Sequence, residues 1–268
     1  MTLKLIMNIG NIVFFNVLQL ICGYLVCIIV FKFRNFIIKN VPSTHQSSKK
    51  LIFIFALIGV FLPFNTYGLI PIIATLISLE ISLDIIITLL VSNALFNLSV
   101  PFTDIHFLSD QALGRLIVAA LVGILAGILF SKSRINKTSL IRIDFLSKLA
   151  VTSNSYQSIF QNIFNAIYVL GIFIILGSTG DILFYSHGIE AFKSLIYGSS
   201  SGAGIVAGLA KLNLFNSVFL IGLSIVNLLL SPLFLSATAA IFKIKGIIVL
   251  YSFYVLTFIL LSFSLFIK

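Results

Sequence analysis

The chain has 268 residues, 60% of them hydrophobic and only 9% charged, with a net charge of +10 and a mean hydropathy of +1.20. A soluble domain carries about 25% charged residues, so a chain this apolar cannot cover itself with polar surface and reads as an all-α integral membrane protein. Its basic residues lie between apolar spans, where they set orientation; with no soluble basic domain to bind it, nucleic acid is not expected as a partner.

Residues 8–31 form the first apolar stretch, long enough to cross a bilayer at roughly 20 residues per crossing. It is too long for a signal h-region and no small-residue cleavage site follows, so a retained helix is expected. Cys22 and Cys27 lie in it, five apart, and read as small core residues. No C-x-x-C pair occurs and the three histidines are scattered, so neither a metal nor another cofactor is expected. Lys32, Arg34, Lys39, Lys49 and Lys50 follow with no acid among them, which marks residues 32–50 as a cytoplasmic loop.

Residues 51–79 are too long for one straight crossing, and they contain Pro63, Asn65, Thr66, Tyr67, Gly68 and Pro71 within nine positions. Proline removes a backbone donor and clashes with the preceding turn. In lipid the freed carbonyl has no water to turn to, so such a break survives only inside protein or along a wet cavity. Residues 85–100 make the next apolar segment. Asn93 and Asn97 lie one turn apart on one face, either bonding a neighbouring helix or facing a cavity. Residues 101–114 are polar. Residues 116–130 carry Gly123 and Gly127, a small-x-x-x-small face suited to close helix packing.

Residues 131–157 are the longest polar stretch, with Lys132, Arg134, Lys137, Arg142 and Lys148 against Asp144 alone. They divide the chain into a first membrane half (1–130), a basic cytoplasmic loop (131–158) and a second membrane half (159–268). Residues 160–176 form a span, and 180–193 read as a polar connection holding Asp181, His187 and Glu190. The stretch 197–209, rich in glycine and serine, contains Ser199, Ser200, Ser201 and Gly202. It reads as a second irregular stretch, or as a tightly packed small-residue helix. Residues 213–242 are apolar around Pro232, Lys243 and Lys245 form a basic turn, and 246–267 make the last span.

Each half thus offers an entry helix, an irregular polar stretch and a closing apolar helix, an internal repeat of the kind on which transporters are built. Two basic loops on one side require an even number of crossings between them, although three apolar segments intervene. A re-entrant element at the proline break reconciles the two. The expected architecture has about eight membrane segments in two similar halves, with broken or re-entrant helices. The predicted substrate path runs through Pro63, Asn65, Thr66, Tyr67, Gly68, Pro71, Asn93, Asn97, Ser199, Ser200, Ser201 and Gly202. Glu80, Asp84, Asp181, Glu190 and Lys211 read as solvated charges at segment ends.

The run G-x-x-x-P-x-x-x-x-G-x-x-P at Gly59, Pro63, Gly68 and Pro71, followed by a helix ending in Asn97, resembles the predicted permeases that include the organoarsenical efflux permeases. The runs GRLIVAALVGILAGILF (114–130) and SPLFLSATAAIFKIKGIIVLYSF (231–253) resemble that family's fourth helix and second half. The resemblance implies about eight membrane segments, a cytoplasmic middle loop and an efflux function. Family members carry C-x-C-G at the first break, where this chain has Asn65, Thr66, Tyr67 and Gly68, so the thiolates that would hold a soft metal are not carried over. The expected function is a multi-pass permease of the cell membrane, acting on an unknown small molecule with the lipid bilayer as its partner; homo-oligomers are left open. The alternative is a membrane scaffold or subunit that transports nothing. An enzyme is not expected: the sequence has no paired intramembrane acids, no His–Glu spacing and no nucleotide-binding G-x-x-x-x-G-K.

Overall fold

The computed structural model describes residues 2–40, 49–96, 110–133, 137–152, 156–187, 222, 225–226 and 228–263. Among these residues the chain is helical, with a single isolated antiparallel bridge between Ile141 and Phe242. The helices are α1 (Thr2–Lys32), α2 (Arg34–Asn40), α3 (Lys49–Phe61), α4 (Thr66–Ser78), α5 (Leu83–Leu95), α6 (Asp110–Lys132), α7 (Lys137–Leu140), α8 (Ile143–Ser147), α9 (Tyr156–His187), α10 (Pro232–Ile241) and α11 (Ile244–Phe263).

Three segments within α1, α9 and α11 are long and apolar enough to cross a membrane: Ile9–Lys32, Ser158–Ile182 and Ile244–Ser262. Their outer faces are apolar as well. Phe14, Leu25 and Ile29 on α1, Phe160, Tyr168 and Ile172 on α9, and Ile248 and Leu256 on α11 are all exposed. In water such surface would drive aggregation, whereas against lipid it is the solvated state. The protein is an all-α membrane protein.

Beside these long helices lie shorter ones. Three of them, α3, α4 and α5, have 13 residues each, or about 20 Å of helix, short of a hydrocarbon core of about 30 Å. Tyr67 through Ile77 of α4 are all buried, as are eleven residues of α5. The contacts fix the directions. Asn16, Gly23 and α1 run alongside Asn65, Gly68 and Pro71, so α1 and α4 are parallel. Gly59 of α3 packs on Ser92 of α5, and Gly127 of α6 touches both Ile52 of α3 and Thr88 of α5. Therefore α3 and α5 run one way, and α6 runs against them. The chain reverses at 62–65 and again at 79–82.

That reversal returns Lys132 to the end of the bundle that holds Lys32 and Lys49. The turn after α10 joins them there. Lys243 donates through its backbone N–H to the Leu140 carbonyl (2.8 Å) and through Nζ to the Thr138 carbonyl (2.8 Å), while Arg142 Nε donates to the Phe242 carbonyl (3.2 Å). The basic segments therefore share one end, called the basic end below.

Two expectations need correction here. The stretch 131–157 is not simply a polar loop: Leu140, Ile141, Leu146, Leu149, Ala150 and Val151 are buried. Tyr24 of α1 donates to the Leu149 carbonyl (2.7 Å), and the Val151 N–H donates to Thr75 Oγ1 (3.2 Å). The apolar residues threaded between its charges plug the bundle. Residues 180–187, expected in a polar connection, belong to α9, because no helix breaker other than Gly180 stands in their way.

Candidate functional site

The break between α3 and α4 spans residues 62–65, four positions rather than nine. Pro63 ends the pairing of α3: its missing N–H would have bonded the Gly59 carbonyl. Asn93 of α5 supplies the replacement. Its Nδ2 donates to the Gly59 carbonyl at 2.9 Å and to the Leu62 carbonyl at 3.2 Å, and the residue is fully buried. Of the two readings of Asn93, the geometry favours the one in which it bonds a neighbouring helix.

On the other side of the break Asn65 starts α4. Its Oδ1 accepts from the Gly68 N–H (3.1 Å), which caps the helix. Its Nδ2 donates to Asn16 Oδ1 (2.6 Å), and its backbone N–H to Gln19 Oε1 (3.3 Å). Thus α1 presents Asn16, Gln19 and Gly23 along one face, at spacings of three and four residues. Gly23 is obligatory for this approach: a Cβ there would collide with the Gly68 carbonyl and come within 2.9 Å of the Pro71 ring. Gly68 and Pro71, expected at an open break, are instead buried inside α4 as its contact with α1. Pro63 is exposed, and Asn65 and Thr66 are half-buried, so the N-terminus of α4 stays open on one side.

A second helix start lies at Ser231–Pro232. Ser231 Oγ accepts from the Phe234 N–H (3.2 Å), with Pro232 in the first turn, the ordinary chemistry of a helix start. Asp181 of α9 sits against it. Its Oδ1 accepts from Ser231 Oγ (3.0 Å) and lies 3.5 Å from the Leu233 N–H. A carboxylate there complements the positive end of the α10 dipole. Gly180 abuts Pro232, and Gly177 packs on Leu233 and Ser236, which makes α9 antiparallel to α10. Ser178, on the same stretch of α9, is fully buried with a hydroxyl that makes no hydrogen bond.

The two starts are joined through Tyr67. Its hydroxyl donates to the Phe173 carbonyl of α9 (2.9 Å) and shares a hydrogen bond with Ser236 Oγ of α10 (2.7 Å). Helices α4 and α10 therefore lie side by side with their N-termini pointing away from the basic end. Given their lengths, those N-termini stand about 15–20 Å from it.

Of the residues predicted for a path, Asn65, Thr66 and Tyr67 fall at this place. Asn93 serves the end of α3. Asn97, Ser199, Ser200, Ser201 and Gly202 lie outside the described residues. Sequence reasoning missed Asn16, Gln19, Asp181, Ser231 and Ser236. Ser231–Pro232 is a helix-start signal that was legible, and Asn16–Gln19–Gly23 is a polar stripe in an otherwise apolar span. Asp181 and Asp84 were assigned to solvated ends, yet both are buried. Asp84 lies in the first turn of α5, where its Oδ1 accepts from the Ile85 N–H (3.0 Å).

No protein-family model, curated protein or solved structure matches this chain.

Proposed function

We propose that the chain is a secondary permease of the cell membrane, multi-pass, with the basic end in the cytoplasm and an efflux direction. One observation carries the reading. Two short helices, α4 and α10, start inside the bundle, side by side, each capped by a polar side chain and flanked by a long helix. With the basic end at one membrane surface, their N-termini fall near the midplane, where broken helices hold the substrates of many transporters. The two ends differ in charge. Asp181 already neutralises the α10 end, while the α4 end has only the neutral amides of Asn65, Asn16 and Gln19. A substrate meeting both would find a carboxylate on one side and amides and free dipole on the other. The motif resemblance to predicted permeases supports the same reading.

A second reading, a scaffold that transports nothing, is favoured by one fact: Asn65, Tyr67 and Asn93 are all hydrogen-bonded within the protein. The two readings separate in a host lacking its own efflux systems. Toxic organic cations, hydrophobic arsenicals and metals are tested with the wild-type chain, with Asp181→Asn and with no chain. A permease lowers accumulation of some compound, and Asp181→Asn weakens this about tenfold at equal abundance, the scale of one lost charge-assisted bond. Equal accumulation for every compound with and without the chain leaves the scaffold.

A further inference from the structure

We propose that an apolar groove between α1, α2 and α3 is a binding site for one acyl chain of an anionic phospholipid, a role separate from any transport path. The groove encloses about 550 Å³, within the usual 300–1,000 Å³ range of ligand sites. Along α3 it is lined by Lys50, Ile54 and Ile58, continued by Leu62 just past the end of the helix, and Val26 of α1 and Ile72 of α4 also line it. These four residues recur every four positions, so they form one continuous face.

Two features select the occupant. The first is length. From Lys50 to Leu62 the groove follows twelve residues of helix, about 18 Å, close to the depth of one leaflet of a roughly 30 Å hydrocarbon core. It starts at the basic end and stops at the proline break. The second is charge. Among the described residues that line the groove, Lys50 is the ionised one. Lys39 and Lys49 are exposed nearby in sequence, and the Arg34 guanidinium lies 4.6 Å over the Phe31 ring at the turn into α2. The short helix α2 carries Phe36 and Ile37 toward the groove and Arg34 and Lys39 among its polar residues, a composition suited to a membrane–water boundary. An acyl chain along Ile54 and Ile58 places its headgroup among these cations, and an anionic headgroup satisfies them.

The test uses the full chain in nanodiscs with two probes bearing the same photoactivatable acyl chain, one phosphatidylglycerol and one phosphatidylcholine. Labelling is mapped by peptide. The expected result is labelling of the peptide containing Ile54 and Ile58 above that of the lipid-facing Ile248–Leu260 segment, with the anionic probe favoured about fivefold, the effect of one lysine near a membrane surface. Lys50→Gln should lower the preference for the anionic probe while groove labelling persists; an unchanged preference would overturn the placement of the headgroup. Ile58→Trp, which fills the groove from a partly exposed position, should abolish labelling there with both. Equal labelling by the two probes in the wild type, or groove labelling no higher than that of α11, overturns the proposal.

Discussion

Asn93 illustrates how a single side chain stabilises a broken helix. Two carbonyls at the end of α3, Gly59 and Leu62, receive both their bonds from one amide. Replacing Asn93 by Leu leaves the buried Gly59 carbonyl and the half-buried Leu62 carbonyl without this donor, at about 1–3 kcal/mol for a stranded buried group. Asn93→Leu should therefore lower the melting temperature of the purified protein markedly. A cavity-lining residue would instead lower transport at unchanged stability. Gly23 is the opposite case, a side chain that must be absent. Gly23→Ala should separate α1 from α4 and cost about 1–3 kcal/mol, whereas alanine at Gly171, which has open space around it, should be tolerated. Melting curves of the two variants side by side provide the check. Cys27 is fully buried and Cys22 half-buried in α1, and neither is at a break. The double alanine variant should retain whatever transport the wild type shows; loss at normal abundance would point to thiol chemistry.

At the scale of elements, α4 ends in a tight reversal. The Ile81 N–H bonds the Leu76 carbonyl and the Glu80 N–H the Ile77 carbonyl, both at 3.0 Å. This is the glycine-type helix stop, but its left-handed position is held by Glu80 at φ 61°. A side chain there costs about 1–2 kcal/mol, and Glu80 is exposed. Glu80→Gly should raise stability by up to about 1 kcal/mol, read as a higher melting temperature, because glycine's greater freedom in the unfolded chain cancels part of the relief. An unchanged or lower value would show that the Glu80 carboxylate contributes a contact of its own. The same kind of local bonding explains how α5 takes two neighbours, α3 and α6, at close range. Thr88 and Ser92 turn their hydroxyls onto the Asp84 and Thr88 carbonyls one turn back (2.7 and 2.8 Å), so they need no outside partner. Gly59, Gly123 and Gly127 then pack directly against them.

For the whole molecule, the strongest expectation concerns sidedness. Because the 137–148 segment and the 243–245 turn are hydrogen-bonded to each other, they lie on the same side of any membrane the protein crosses. Single cysteines at Lys148 and Lys245, both exposed, should respond alike to a membrane-impermeant maleimide. With the cytoplasmic orientation proposed above, both should be protected in intact cells and react after lysis. Labelling of one without the other would contradict the arrangement of α10 and α11; labelling of both in intact cells would invert the orientation.

Composition alone pointed to a membrane protein, because a chain with 60% apolar and 9% charged residues cannot cover itself with polar surface in water. The proline break, the Gly123–Gly127 face and the shared side of the basic segments were legible for a similar reason: each rests on local backbone chemistry or on charge, which a sequence displays directly. What the tertiary structure decided is which polar group meets which. Asn93 and Asn65 look alike in sequence, but one bonds the carbonyls stranded by Pro63 and the other caps the next helix. Asp181 reads as a loop charge until α9 is seen to continue past Gly180 and deliver it to Ser231, fifty residues away. The pairing of α4 with α10 through Tyr67 and Ser236 joins residues 169 apart. Such contacts depend on the angle and register of packed helices, set by the summed fit of many apolar side chains, and no short stretch of sequence encodes that fit.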